Sequence, residues 1–177
     1  MTREQLEHLL RAAADIAQDD EIVVIGSQAI LGQYPDAPAS LRVSVEADVY
    51  PRNHPERAEL IDGTIGELSP FHRAYGYYAQ GVGRETAILP DGWEDRLVAV
   101  QSANTRGARG LCLEVHDLLV AKAVAGRDKD RAFVDEVVRH GLVARDTALT
   151  RLAGTAIDDA TRTRVRQRLE AAFAATR

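Results

Sequence analysis

The chain has 177 residues, 45% of them hydrophobic and 28% charged, so it can bury one sizeable core and lacks the composition of a disordered protein. Its formal net charge of −5 argues against coating nucleic acid by bulk electrostatics, although a local basic patch could still hold a phosphate chain. The single cysteine, Cys112, excludes an internal disulfide and, between Leu111 and Leu113, predicts a buried thiol in a reducing compartment.

No stretch of the sequence has the character of a membrane segment or a targeting signal. Residues 1–18 form a charged amphipathic stretch without an apolar core, and no later run approaches membrane-spanning length. We therefore expect a cytoplasmic protein with no membrane partner.

The first quarter of the chain predicts a helix, a strand and a second helix. Apolar residues recur at helical spacing over residues 4–16, with Thr2 as the N-cap. The continuous run Ile-Val-Val-Ile at 22–25 is typical of a central strand covered on both faces, and Gly26-Ser27 ends it. A helix over 28–32 is expected next.

Residues 41–50 alternate strictly between apolar and polar, which predicts a strand that Pro51 closes. One face of this strand should belong to the core and the other should be polar. The predicted core face carries Leu41, Val43, Val45, Ala47 and Val49, and the polar face carries Arg42, Ser44, Glu46, Asp48 and Tyr50.

The remainder of the sequence changes from mixed elements to helix. A helix over 55–63 and strands around 76–82 and 86–89 are predicted, and residues 101–109 are expected to form a polar loop. From residue 114 the pattern is helical, with breaks near Gly126, Gly141 and Gly154. We expect a core over residues 1–113 and a C-terminal helical region, 114–177, packed on it as one compact unit.

Gly26, Ser27, Glu46 and Asp48 follow an order that assembles a phosphate site beside a metal site. Gly26 lets a ligand approach the backbone, Ser27 adds a hydroxyl, and the following helix points N–H groups at an anion. Glu46 and Asp48, two residues apart on one strand, project side by side and can share a divalent ion. Mg²⁺, or Mn²⁺ in its place, suits this pair because substrate phosphates and waters complete its coordination.

These residues resemble a known family. Gly26-Ser27, followed by Arg42-x-Ser44-x-Glu46-x-Asp48, is similar to the G-S…D-x-D motif of the DNA polymerase beta-like minimal nucleotidyltransferases, especially the AbiEii/AbiGii toxin-type branch. The segment from Asp117 to Asp130 resembles the helical D-L-x-x-x-K…R-x-x-D motif of that branch. The matches span about two thirds of the chain.

The resemblance implies an α/β (α+β) nucleotidyltransferase fold, in which helices flank a small mixed β-sheet and a helical bundle forms a C-terminal extension. It implies that Gly26, Ser27, Arg42, Lys122 and Arg127 bind the nucleoside triphosphate, and that Asp130 serves as base or supports the metal beside Glu46 and Asp48. Lys122 and Arg127 are five residues apart, about 140° around a helix, so they reach one ligand only if Gly126 bends the chain.

The activity implied is transfer of a nucleoside monophosphate to a hydroxyl of RNA, such as tRNA, or of a protein, by a toxin under the control of a cognate antitoxin. Two departures leave alternatives open. The first carboxylate is Glu46 instead of aspartate, and Gln80 stands where a third carboxylate is expected. The alternatives are a catalytically incomplete module that binds nucleotide or a partner, and an unrelated scaffold on which these residues are only surface.

Overall fold

The protein, as a computed structural model that describes residues 1–175, divides into two compact units. The strand unit consists of Met1–Thr86 and Leu97–Leu113. The helical unit consists of Ala87–Arg96 and the chain from Glu114 onward.

The strand unit is built on a five-stranded mixed sheet, which confirms the expected α/β class. Its strands are β1 (Glu21–Val24), β2 (Glu46–Pro51), β3 (Tyr78–Gly81), β4 (Val98–Val100) and β5 (Arg109–Cys112), in the spatial order β3-β2-β1-β5-β4. β1 is antiparallel to β2 and parallel to β5, β2 is parallel to β3, and β4 is antiparallel to β5.

The central position of β1 agrees with its sequence. Ile22, Val23 and Val24 are all buried, as expected for a strand covered on both faces. The helices of this unit are α1 (Arg3–Ala17), α2 (Ile30–Gln33), α3 (Ala58–Ile65) and α4 (Pro70–Tyr75). Thr2 caps α1 as predicted, since its side chain accepts from the Gln5 N–H while the Gln5 side chain accepts from the Thr2 N–H.

The strand predicted over 41–50 is wrong in its first half, because β2 begins only at Glu46. β1 pairs with β2 only at residues 49–51, and the pairing with β3 begins at Glu46, so residues before Glu46 have no partner in either register. The predicted core residues Val43 and Val45 are instead 77% and 45% exposed. Tyr50, predicted on the polar face, is buried.

The second half of the strand unit holds the other departures. The strand predicted at 86–89 does not form, whereas β4 and β5 form where no strand was predicted, and Arg109, the first residue of β5, belonged to the predicted loop 101–109. β4 has three residues and β5 contains Gly110, so neither carries a clear strand pattern. Residues 70–75 form α4, for which no prediction was made.

The helical unit has breaks at the predicted glycines. Its helices are α5 (Val115–Ala125), α6 (Asp128–Arg139), α7 (Arg145–Ala153) and α8 (Asp159–Ala174). The fully buried Asp117 of α5 accepts two hydrogen bonds from Arg96, at 2.8 and 2.9 Å, and its other cation neighbour is Arg151 at 3.3 Å. Two arginines thus compensate the buried charge and tie the segment 87–96 to α5. Over residues 1–175, none of the helices has the length and apolar character needed to cross a membrane.

Candidate functional site

Glu46 and Asp48 lie on β2 as predicted, two residues apart and therefore on one face of the strand. Both are partly buried, and they alternate along the strand with Ala47 and Val49, which are fully buried. In the parallel pairing with β3, Glu46 lies opposite Tyr78 and Asp48 lies opposite Gln80. The sheet register therefore puts Gln80 beside Asp48, at the place where a third carboxylate was expected.

Gly26 lies directly against the side chain of Asp48. A Cβ on Gly26 would come within 3.0 Å of the Asp48 Cβ and closer still to its carboxylate. Such a distance is not tolerated between real atoms, so only glycine leaves room for Asp48 in this position. The structure thus brings together Gly26 and Asp48, which are 22 positions apart in sequence.

Ser27 follows Gly26 and starts a turn that is shorter than the predicted helix. A 3₁₀ turn, Ser27–Ala29, runs directly into the four residues of α2. The Ser27 hydroxyl accepts a weak 3.4 Å bond from the Gln28 side chain. Because so short a helix has little dipole, a phosphate contact here depends on the Ser27 hydroxyl and on local N–H groups.

Tyr78 makes a contact with Glu46 that sequence reasoning missed. Its hydroxyl donates to Oε2 of Glu46 at 3.4 Å. Burial and, after it, the neighbouring Glu46 carboxylate raise the pKa of Tyr78 to about 12. Tyr78 therefore stays protonated at physiological pH and donates a long, weak hydrogen bond to Glu46. The signal that could have found this contact is the pairing of β2 with β3, which only the tertiary fold reveals.

Arg42 lies in the irregular segment that leads into β2. Its carbonyl and that of Ser44 both accept hydrogen bonds from the amino group of Met1, the latter at 2.7 Å. The Nε of Arg42 is buried and has no hydrogen-bond partner among the described residues. A buried guanidinium N–H without an acceptor is costly, and because this atom is shielded from solvent, a ligand reaches it only after neighbouring groups move.

Lys122, Arg127 and Asp130 come together in the helical unit. The chain turns at Gly126, which ends α5 with a positive φ of 65°. As a result Lys122 Nζ lies 3.2 Å from Oδ1 of Asp130, while Arg127 Nε lies 2.6 Å from Oδ2. The chain does bend at Gly126, and the two cations converge on Asp130; that they reach one ligand stays a prediction.

Asp130 is 1% exposed, and its carboxylate forms ion pairs with both Lys122 and Arg127. Burial alone would raise its pKa, but the hydrogen bond from Arg127 and the charge of Lys122 outweigh burial and leave the pKa of Asp130 below its usual value. A carboxylate with a lowered pKa is a weak proton acceptor. The geometry therefore favours Asp130 as the residue that positions Lys122 and Arg127.

Metal binding in the described residues would use two protein carboxylates. Within residues 1–175 no three His, Cys, Asp or Glu side chains form a cluster able to hold a metal ion. The pair Glu46 and Asp48 matches the hard oxygen donors that Mg²⁺ prefers, with substrate oxygens supplying further ligands.

A comparison with known families agrees with this arrangement. Residues 4–173 match a family described as a nucleotidyltransferase of unknown function, DUF6036. No curated protein and no solved structure matches the chain. The match covers almost the whole sequence and is made to the nucleotidyltransferase family, not to the AbiEii/AbiGii branch. The chain therefore belongs to the DUF6036 family of nucleotidyltransferases.

Proposed function

We propose that the protein transfers a nucleoside monophosphate from a nucleoside triphosphate to an acceptor hydroxyl and releases pyrophosphate. The observation that carries this proposal is the placement of Gly26 against Asp48, which lies two residues from Glu46 on the same face of β2. The missing Cβ of Gly26 leaves room for the Asp48 carboxylate beside the backbone, so the end of β1 lies next to the two proposed metal-binding groups.

Glu46 and Asp48 are the residues that would hold Mg²⁺, or Mn²⁺ in its place. Their carboxylate chemistry fits the ion, and the missing Cβ of Gly26 keeps the Asp48 carboxylate in its recess. Bound there, the ion would supply charge neutralisation of the triphosphate and activation of the attacking oxygen. Tyr78, as a protonated donor to Glu46, would fix that carboxylate in place.

Four further residues would act on phosphate. In the strand unit, Ser27 would donate its hydroxyl and Arg42 its guanidinium N–H groups to phosphate oxygens. In the helical unit, Lys122 and Arg127, positioned by Asp130, would bind phosphate and stabilise charge that develops during transfer. An attacking hydroxyl displaces pyrophosphate in line, and its proton passes to solvent or to a metal-ligating carboxylate.

The favoured acceptor is RNA, with tRNA as one example. A groove of about 670 Å³ between α6 and α8 is lined by three arginines, Arg131, Arg139 and Arg168, by Asp135 and by three alanines. Arg139 already pairs with Glu136, and Arg131 lies 3.9 Å from Asp128, so a phosphate backbone would bind here by replacing these carboxylates as partners of the guanidinium groups. On the resemblance to toxin-type enzymes, we propose that transfer occurs in the cytoplasm and is controlled by an antitoxin.

The second candidate function is a module that binds nucleotide or a partner without turnover. The observation that favours it is Gln80, which the register puts beside Asp48 where a third carboxylate would assist the metal. In this case the site would bind nucleoside triphosphate with Mg²⁺ but would leave it intact.

Label transfer tests the proposal and separates the two functions. The protein is incubated with each α-³²P nucleoside triphosphate, Mg²⁺ and either total RNA or total protein, beside the Asp48→Asn variant. Label on RNA that the variant fails to transfer supports the enzyme, whereas label on protein alone would contradict the RNA acceptor. Arg131→Gln/Arg139→Gln should weaken RNA labelling, most strongly at low salt. Triphosphate binding without any transfer would favour the module.

A further inference from the structure

Leu68 is held in an unusual conformation on the surface of the strand unit. Its φ of 62° lies in the left-handed region, which bulky residues avoid, yet its side chain is 70% exposed. The left-handed backbone costs free energy, and the exposed leucine side chain gains none from burial in the core. Such outliers concentrate at sites where a protein binds something.

His72 keeps Leu68 in this conformation. The N–H of Leu68 donates to Nδ1 of His72 at 3.1 Å. The Ser69 hydroxyl accepts from the backbone N–H of His72, also at 3.1 Å, and so caps the helix that carries His72. The backbone of Leu68 is thus fixed by a side chain on the next turn. Its leucine side chain is displayed beside a partly exposed imidazole ring.

A chain of contacts connects this leucine to the candidate metal site. The ring of His72 packs on the ring of Tyr78, with centroids 4.6 Å apart, and the Tyr78 hydroxyl donates to Glu46 at 3.4 Å. Leu68 and His72 therefore form an apolar and aromatic surface that is only one side chain, Tyr78, removed from a metal-binding carboxylate.

We propose that Leu68 and His72 form the subsite for the nucleobase of the bound nucleoside triphosphate. This inference rests on the proposed function, because it assumes that the triphosphate lies at Glu46 and Asp48. The triphosphate and ribose are polar, and the base is the part of the substrate with flat faces that gain from apolar and aromatic contact. A base against Leu68 and His72 would cover the leucine that the free protein leaves exposed.

Substitution of Leu68 tests this subsite without threatening the fold. Asparagine adopts the left-handed conformation more readily than leucine, so Leu68→Asn keeps the turn and removes the apolar contact. Leu60→Asn is the matched control, because Leu60 is a 53% exposed leucine on α3. Calorimetry measures the binding of each magnesium nucleoside triphosphate and of magnesium tripolyphosphate, which has no base.

The expected result is that Leu68→Asn weakens nucleoside triphosphate binding about tenfold and leaves tripolyphosphate binding unchanged, while Leu60→Asn changes neither. His72→Ala should act in the same direction. Equal weakening of both ligands, or no effect on either, would overturn the subsite while the proposed function stands. If the unaltered protein binds neither ligand, the proposed function fails and the subsite fails with it.

Discussion

The main chain of Gly26 lies so close to the side chain of Asp48 that a Cβ at position 26 would come within 3.0 Å of the Asp48 Cβ. In Gly26→Ala the new methyl group must therefore displace the Asp48 side chain. We expect the variant to fold and to lose Mg²⁺-dependent nucleoside triphosphate binding by at least tenfold, since one of two carboxylates is moved. Calorimetry measures the binding of the nucleoside triphosphate, and circular dichroism shows whether the variant folds.

Gly63→Ala is the control for this substitution. A Cβ at Gly63, in α3, would meet no atom within 4 Å, and alanine favours helix over glycine by about 1 kcal/mol. Gly63→Ala should bind nucleotide normally and unfold at a slightly higher temperature. Normal nucleotide binding by Gly26→Ala would contradict the assignment of Gly26 and Asp48 to the site.

Gln80 lies opposite Asp48, so Gln80→Asp introduces a third carboxylate beside the pair. Without metal, the added like charge across the strands should lower the melting temperature slightly. With Mg²⁺ the same charge should bind the ion more tightly and produce a larger thermal stabilisation than in the unaltered protein. Gln101→Asp, at another exposed position of the strand unit, should show no metal-dependent gain, and an equal gain there would refute the prediction.

Asp130 pairs with Lys122 and Arg127 while almost fully buried. Asp130→Asn leaves the largely buried ammonium group of Lys122 without its counter-ion, whereas Arg127 is 61% exposed and is partly compensated by water. We expect a loss of roughly 2–4 kcal/mol in the free energy of unfolding, measured with urea.

Asp128→Asn is the control for Asp130→Asn, because Asp128 lies only two residues from Asp130 on the same helix. Asp128 is fully exposed and its nearest cation, Arg131, is 3.9 Å distant, so no measurable change in stability is expected. Equal stabilities for the Asp130 and Asp128 variants would show that the Asp130 cluster does not hold α5 and α6 together.

Asp19 joins the start of β1 to the segment after β2. Its carboxylate accepts from the N–H groups of Glu21, Asn53 and His54 and from the Asn53 amide, at 2.7 to 3.1 Å. Burial alone would raise the pKa of Asp19, but these hydrogen bonds outweigh burial and lower it. The carboxylate therefore stabilises the folded state fully above its ordinary value of 3.8, and this contribution is lost as pH falls below that value.

Asp19→Asn should lower the free energy of unfolding at pH 7 by about 1–3 kcal/mol and should flatten the loss of stability on acidification. Urea unfolding between pH 7 and pH 3 measures both effects, with the exposed Asp20→Asn as control. Parallel pH profiles for the unaltered protein and Asp19→Asn would show that Asp19 contributes nothing to acid sensitivity.

The elements with strong local patterns were predictable from the sequence. The amphipathic α1, the β-branched β1 and the breaks at Gly126, Gly141 and Gly154 follow from spacing and backbone preference alone. β4 and β5 were not predictable, because a three-residue strand and a strand containing glycine form only when their neighbours supply hydrogen bonds. Residues 42–45 show the opposite case: they carry an alternating pattern but remain irregular, because the pairings with β1 and β3 do not extend to them.

The candidate site was also predictable only in part. Motif order predicted a phosphate site at Gly26 beside a metal site at Glu46 and Asp48, whereas the contact between Gly26 and Asp48 follows from the antiparallel pairing of β1 with β2, which the sequence did not predict. The hydrogen bond from Tyr78 to Glu46 depends on the register of β3, which no local pattern specifies.

The central claim is that Glu46 and Asp48 bind a nucleoside triphosphate together with Mg²⁺, and titration calorimetry tests it most directly. Each nucleoside triphosphate is titrated into the protein with and without Mg²⁺, and again into the Glu46→Gln/Asp48→Asn double variant. Our account predicts binding that requires Mg²⁺ and disappears in the double variant. Absence of binding to every triphosphate, or binding that the double variant retains, would contradict it.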